Sequence, residues 1–255
     1  MKRRLLGYSL LGVLAFLLSL LWLAPATLVT DRVAERLPGF SVQAAEGLAT
    51  EGSARGVTWR GVRIDRLNWN WQALALLSGW LEFRLDASDP DLKLAGKLGV
   101  NPGRRLRWRD ASGQISLARL STLAGYAKPP LQGVAEFKLG DLSLNAAGRP
   151  QTAEGVIHLR NTRVTLGQPL NLGDFTLQLA PAQPEGIQGK VKDHNGPLAL
   201  EGTLNLLPDG RYRFTGQAAI RDAGNPALQQ AMSLLGPPGG DGRWALNYSG
   251  VLPSR

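Results

Sequence analysis

The sequence predicts a mainly β protein, with an N-terminal transmembrane helix followed by an elongated, curved antiparallel meander sheet and a few short helices. Three observations carry this. Apolar and polar residues alternate with a period of two in run after run from Val62 to Tyr248, the pattern of strands buried on one face. The 31 glycines and 16 prolines punctuate those runs, which suits short strands and turns better than long helices. Residues 5–30 carry no charged side chain, which is long enough for a membrane-spanning helix.

The N-terminal element comes first. Leu5 to Leu23 is almost wholly apolar, and its anchor residues are Leu5, Leu6, Leu10, Leu14, Phe16, Leu17, Leu21 and Trp22. At 1.5 Å per residue such a stretch spans roughly 28 Å, close to the hydrocarbon thickness of a bilayer. Lys2, Arg3 and Arg4 precede it, while Asp31, Arg32, Glu35 and Arg36 after it sum to zero. The positive-inside rule therefore puts residues 1–4 in the cytoplasm, 5–23 in the membrane and the remaining chain outside. The expected location is the cell inner membrane, single-pass, with a periplasmic body. Ala24-Pro25-Ala26 imitates a signal-peptide cleavage site, so a cleaved leader is the rival reading. Both readings export residues 31–255.

In the body, clear period-two runs include Leu67/Trp69/Trp71, Leu81/Phe83/Leu85, Leu92/Leu94, Leu106/Trp108, Ala135/Phe137/Leu139 and Leu142/Leu144. Later ones include Ile157/Leu159, Phe175/Leu177/Leu179, Leu198/Leu200, Tyr212/Phe214 and Trp244/Leu246/Tyr248. Leu204–Leu206, Asp209-Gly210 and Tyr212–Phe214 read as a hairpin, because Asp-Gly adopts positive φ readily. An apolar residue and a glycine lead alternating stretches near Gly96, Gly133, Gly155, Gly189, Gly202 and Gly216. Their irregular spacing fits a meander with an apolar concave face better than a strict solenoid. Asn225-Pro226 through Leu235, stopped by Gly236, predicts a capped helix with Leu228, Ala231 and Leu235 inward. Shorter helical candidates are Trp71–Leu77 and Leu117–Ala124. Pro129-Pro130 divides the body into residues 31–128 and 131–255.

Catalytic chemistry finds little support. The chain has no cysteine and two histidines, which leaves out disulfides, thiolate metal sites and a cysteine nucleophile. His158 falls on a strand and His194 in a turn, and no G-x-S-x-G elbow or H-E-x-x-H motif accompanies them. Asp86, Asp89 and Asp91 flank Pro90 without the glycine and terminal glutamate of a calcium loop. Gly236–Gly242 lacks G-K-[ST] and reads as a linker. Arg104–Arg109 alternates with Leu106 and Trp108, as a solvated strand face does. The expectation is a non-enzymatic protein with no catalytic, metal or cofactor-binding residues, no nucleic-acid partner and no small-molecule substrate. Beyond Lys2, Arg3 and Arg4 the net charge of +9 leaves +6 along the body, which selects no partner by itself. Trp59, Trp69, Trp71 and Trp80 cluster within 22 residues and are either core or a partner-binding surface.

From Leu131 onward the order of motifs resembles the type II secretion system protein N family, also called general secretion pathway protein N. The resemblance rests on Leu131-Gln132-Gly133, Val164-Thr165-Leu166, Leu172-Gly173-Asp174-Phe175, Asp193-His194-Asn195-Gly196-Pro197-Leu198 and Leu200-Glu201-Gly202-Thr203-Leu204. It continues with Tyr212-Arg213-Phe214-Thr215-Gly216, the helix from Asn225, Asp241-Gly242-Arg243-Trp244 and Gly250-Val251-Leu252. Leu67–Leu81 is similar to the family's Trp-containing strand and short helix. Glu51-Gly52-Ser53 departs from it, standing where a tryptophan is expected. The resemblance implies an accessory component of the machine that moves folded proteins across the outer membrane of Gram-negative bacteria. The implied partners are other type II secretion subunits of the inner membrane, together with membrane lipid. The chain is similar also to AsmA-like proteins, which implies the alternative of binding or conducting lipid along an apolar concave sheet.

Overall fold

The alternation is realised as strands joined strictly in chain order. The computed structural model describes residues 23–59, 62–123, 131–166, 168–182, 185–222 and 224–252. Its strands are β1 (Ala44–Gly47), β2 (Glu51–Trp59), β3 (Val62–Trp71), β4 (Leu81–Asp89), β5 (Leu92–Val100), β6 (Leu106–Ser116) and β7 (Leu131–Leu144). They continue as β8 (Pro150–Leu166), β9 (Gln168–Pro181), β10 (Ile187–Asp193), β11 (Leu198–Leu206), β12 (Arg211–Ile220) and β13 (Trp244–Val251). All 13 form one antiparallel sheet in the order β1 to β13. Among the described residues the helices are α1 (Ala26–Arg36), α2 (Leu117–Leu123) and α3 (Pro226–Ser233), with a 3-10 helix at Ala73–Ser78. The sheet is an uninterrupted meander, and β6 pairs directly with β7 across residues 124–130.

The transmembrane segment expected over residues 5–23 falls outside the described residues except for Leu23, as do Lys2, Arg3 and Arg4. Among the described residues no helix is long and apolar enough to cross a membrane.

One face of the sheet collects the apolar side chains. Cross-strand partners share a face, and the registered line Ala54, Leu67, Ala87, Leu94, Gly113, Phe137, Ile157, Leu177, Val191, Gly202, Gly216, Leu246 runs across β2 to β13. Strict alternation would not keep this face apolar along every strand. In β6, Trp108 and Ala111 are three apart, and Asp110 between them takes φ 52°. In β8, Leu159 and Thr162 are likewise separated by Asn161 at φ 50°, where the register with β9 shifts. Each bulge adds one residue and returns the next apolar side chain to the same side.

The hairpin at Asp209-Gly210 forms as expected. Gly210 has φ 89°, and Leu207 N–H donates to Arg211 O at 2.8 Å. At Gly202 the requirement is space: a Cβ there would lie 2.6 Å from Phe214 Cζ on the neighbouring strand. The aromatic ring covers the glycine and takes the room that the missing side chain leaves.

β1 and β2 lie where no alternating run is readable. Ala54 and Val57 are both buried although three apart, because Gly56 at φ 59° resets the alternation. The helix predicted from Pro226 is α3. The Asn225 carboxamide oxygen accepts from Leu228 N at 3.0 Å, with Pro226 at the first helical position. It ends at Ser233, two residues short of Leu235, so its inward stripe is Leu228 and Met232 while Leu235 is exposed. Those two side chains join Phe175, Leu198, Ala218 and Leu246 in the main core cluster, with Leu159, Phe214, Ile220 and Trp244 around it. Trp244 Nε1 donates to Gly236 O at 2.9 Å and closes the linker over the helix. The candidate at Trp71–Leu77 is the 3-10 helix, stopped by Gly79 at φ 77°. The candidate at Leu117–Ala124 is α2.

Candidate functional site: the two faces of the sheet

The helices cover the apolar face in part. α3 packs over the end of β9, β11, β12 and β13 through the core cluster, and α2 sits against β6 and β7. α1 lies against β1 and β2, with Ala26 buried. Between these covers, Trp71, Phe83, Leu85, Leu94, Leu98, Phe137, Leu142, Ile157, Leu177 and Leu204 are each half-buried. Side chains on one sheet face shield one another along the strands, yet a second layer is needed to bury them fully. Among the described residues that second layer is confined to α1, α2 and α3. The face is therefore a broad apolar strip that the described helices cover only in part.

The opposite face is polar and cross-braced by ion pairs. Glu82 is 2% exposed although it points to this side. Arg109 Nη2 donates to its two carboxylate oxygens at 2.7 and 2.6 Å, and Arg107 Nη2 lies 3.9 Å away. Trp80 closes the site, with the Arg107 guanidinium 4.6 Å from its ring centroid, a cation–π arrangement. Two arginines of the basic run thus neutralise one buried carboxylate. They face away from Trp108, as alternation requires.

Of the clustered tryptophans, Trp69 Nε1 donates to Leu48 O and Ala49 O at 3.2 and 3.1 Å. Its ring lies over Gly52, where a Cβ would stand 2.6 Å from Cζ2. That contact, with the Glu46 and Leu48 carbonyls as close, leaves no room for any side chain at 52, so the expected tryptophan could not be accommodated there. Trp71 and Trp80 are half-buried, and Trp59 is 40% exposed.

The two histidines, far apart in sequence, meet at Thr176. His158 Nδ1 lies 3.0 Å from Thr176 Oγ1, and His194 Nε2 lies 2.5 Å from the same oxygen. Both imidazoles are exposed. The pairing of His158 with Thr176 across β8 and β9 was the one cue available, but it depends on the Asn161 bulge. Among the described residues no group of three or more His, Asp or Glu is placed to hold a metal ion. Asp89, one of the clustered aspartates, instead accepts from Arg119 Nη1 at 2.7 Å and moors α2. Arg119 also donates to Arg63 O.

Asp193 staples the turn that carries His194. Its carboxylate accepts from Leu200 N at 3.0 Å, Asn195 N at 3.0 Å and Arg221 Nη1 at 2.5 Å. Burial pushes this carboxyl up, and the Arg221 guanidinium with the two amides outweighs that, holding it below its ordinary value.

Comparison with known proteins places the chain in one family. Residues 38–247 match the family model described as type II secretion system (T2SS), protein N. The chain is 28% identical to type II secretion system protein N of Vibrio cholerae, over 98% of this chain and 100% of the relative. It is 26% identical to the protein of the same name from Pectobacterium carotovorum and 25% identical to that of Klebsiella pneumoniae, in each case over 94% of both chains. No solved structure matches.

Proposed function

Because the chain belongs to the type II secretion system protein N family, we propose that it is a non-enzymatic accessory component of type II protein secretion, acting at the inner-membrane platform. The observation that carries this reading is the family match across nearly the whole body, supported by relatives aligned from end to end. In this reading residues 5–23 anchor the protein once in the inner membrane, Lys2, Arg3 and Arg4 hold the N-terminus in the cytoplasm, and the sheet stands in the periplasm. Its body has two parts, 31–128 and 131–255, and its partners are other secretion subunits of the inner membrane. Trp59, 40% exposed where the end of β2 pairs with the start of β3, is the most exposed of the four tryptophans and the one such a partner would meet first. The test is crosslinking in intact membranes followed by purification through a C-terminal tag. Recovery of platform subunits is the expected result, and a clean isolate without any of them refutes the role.

The half-buried apolar face favours a second reading, in which the sheet binds or conducts membrane lipid. Solvent extraction of protein purified without delipidation, followed by mass spectrometry, tests it. Stoichiometric lipid that is lost on changing Phe137 and Ile157 to Asp supports this reading, and a lipid-free preparation excludes it.

A further inference from the structure

We infer that the 3-10 helix Ala73–Ser78 is a membrane-contacting knob, whose leucines enter the headgroup boundary of the bilayer beside the point where the N-terminal segment joins the sheet. This deepens the anchored reading above and rests on it.

The knob is ordered without being packed. Leu74 is 82% exposed, Leu77 88% and Leu76 49%, and no residue of the helix is buried. Its shape is held by its own backbone. Ala75 N donates to Gln72 O at 3.0 Å, Gly79 N to Leu76 O at 2.9 Å and Trp80 N to Ala75 O at 3.1 Å. Ser78 Oγ adds a bond to Ala75 O at 2.8 Å. A soluble turn that presented three leucines to water would gain nothing from them.

Its position supplies the occupant. The apolar stretch ends at Leu23, and the next residue is fixed to the β1–β2 turn: Ala49 N donates to Ala24 O at 2.8 Å, and Pro25 bridges Leu48. The same turn is tied to the end of β3, where Trp71 N donates to Thr50 O at 2.6 Å. The knob begins two residues later. A chain leaving a bilayer at Leu23 therefore brings Leu74 and Leu77 to the same surface. The apolar patch continues into Leu81 and Val100, which pair across β4 and β5 and are both exposed. Beyond Val100 the β5–β6 turn displays Arg104 and Arg105, and Trp80 follows the knob after Gly79. Leucines to insert, a tryptophan at their border and a basic rim are the components of an interfacial anchor for an anionic membrane.

The test uses the full chain in nanodiscs of phosphatidylethanolamine and phosphatidylglycerol. The protein has no cysteine, so single substitutions Leu77→Cys, Leu17→Cys and Thr215→Cys each accept one environment-sensitive fluorophore. A nitroxide-labelled lipid is then added as quencher. Quenching at 77 several-fold above that at 215, together with a blue-shifted emission, is expected. Adding Leu74→Asp abolishes that quenching, and Arg104→Glu with Arg105→Glu weakens it in these discs but not in discs of phosphatidylcholine alone. Quenching at 17 with 77 no different from 215 overturns the knob and leaves the anchor standing. Quenching at 77 without quenching at 17 keeps the membrane contact and refutes the anchor.

Discussion

Glu82→Gln offers the sharpest test of how the polar face is held. Glutamine keeps the shape of the side chain and can still accept one bond from Arg109, so the change removes charge and little else. Two unit charges 4 Å apart attract by about 4 kcal/mol at an intermediate effective dielectric, before desolvation is subtracted. Stranding the partner of a fully buried pair costs about 3–5 kcal/mol. Arg109 is 40% exposed and can turn to water, which lowers the expected cost to about 2 kcal/mol, within the range of charged hydrogen bonds. For a chain of this size that corresponds to a fall of roughly 4–8 °C in Tm. The loss is also local. Each strand pairs only with its neighbours, so amide exchange should accelerate in β4, β5 and β6 and stay unchanged in β10 to β13. A double-mutant cycle of Glu82→Gln with Arg109→Gln should return a coupling energy of about 2 kcal/mol. Coupling near zero, or a loss of protection spread evenly over the sheet, refutes the reasoning.

Leu228→Ala removes a side chain that is 1% exposed and should cost about 3 kcal/mol by cavity formation, read by denaturant titration and by increased proteolysis around α3. Gly202→Val places side-chain atoms inside the Phe214 ring position and should destabilise by about 2 kcal/mol, as overpacking does; adding Phe214→Ala should return part of that loss in the same titration. Asp193 has a depressed pKa in the folded protein. Its contribution is therefore present above the unfolded carboxylate value, about 3.9, and is lost as pH falls through the lower folded value. Asp193→Asn should lower stability at neutral pH and flatten the fall below about pH 4 that the parent protein shows in Tm measured against pH.

Much of the sheet was legible because a period of two is an unusually direct signal. Leu67/Trp69/Trp71, Leu81/Phe83/Leu85 and Tyr212/Phe214 sit on the apolar face as the alternation demands, and Asp-Gly marks its turn. What stayed hidden depends on backbone conformations that no pattern announces. Gly56 resets the alternation of β2 and conceals that strand. The bulge at Asp110 shifts β6 against β5 and that at Asn161 shifts β8 against β9, so the meeting of His158 and His194 at Thr176 could not be read from alternation alone. Burial of Glu82 was equally hidden, because a charged residue on a solvent-facing strand position is normally exposed and only Trp80 and the two arginines together cover it. The end of α3 at Ser233 was missed for a simpler reason. A glycine stop at 236 marks where a helix must have ended, not where it does.

Strict neighbour-to-neighbour pairing has a consequence for assembly. No strand waits for a distant part of the chain, so loop-closure entropy stays small for every hairpin added. A polypeptide delivered N-terminus first can lay down β2 on β1, then β3 on β2, each new strand finding its template already in place. Only α3 differs: it requires β9, β11, β12 and β13 together before its Leu228 is enclosed, so that part of the apolar face is covered only after β13 has joined the sheet.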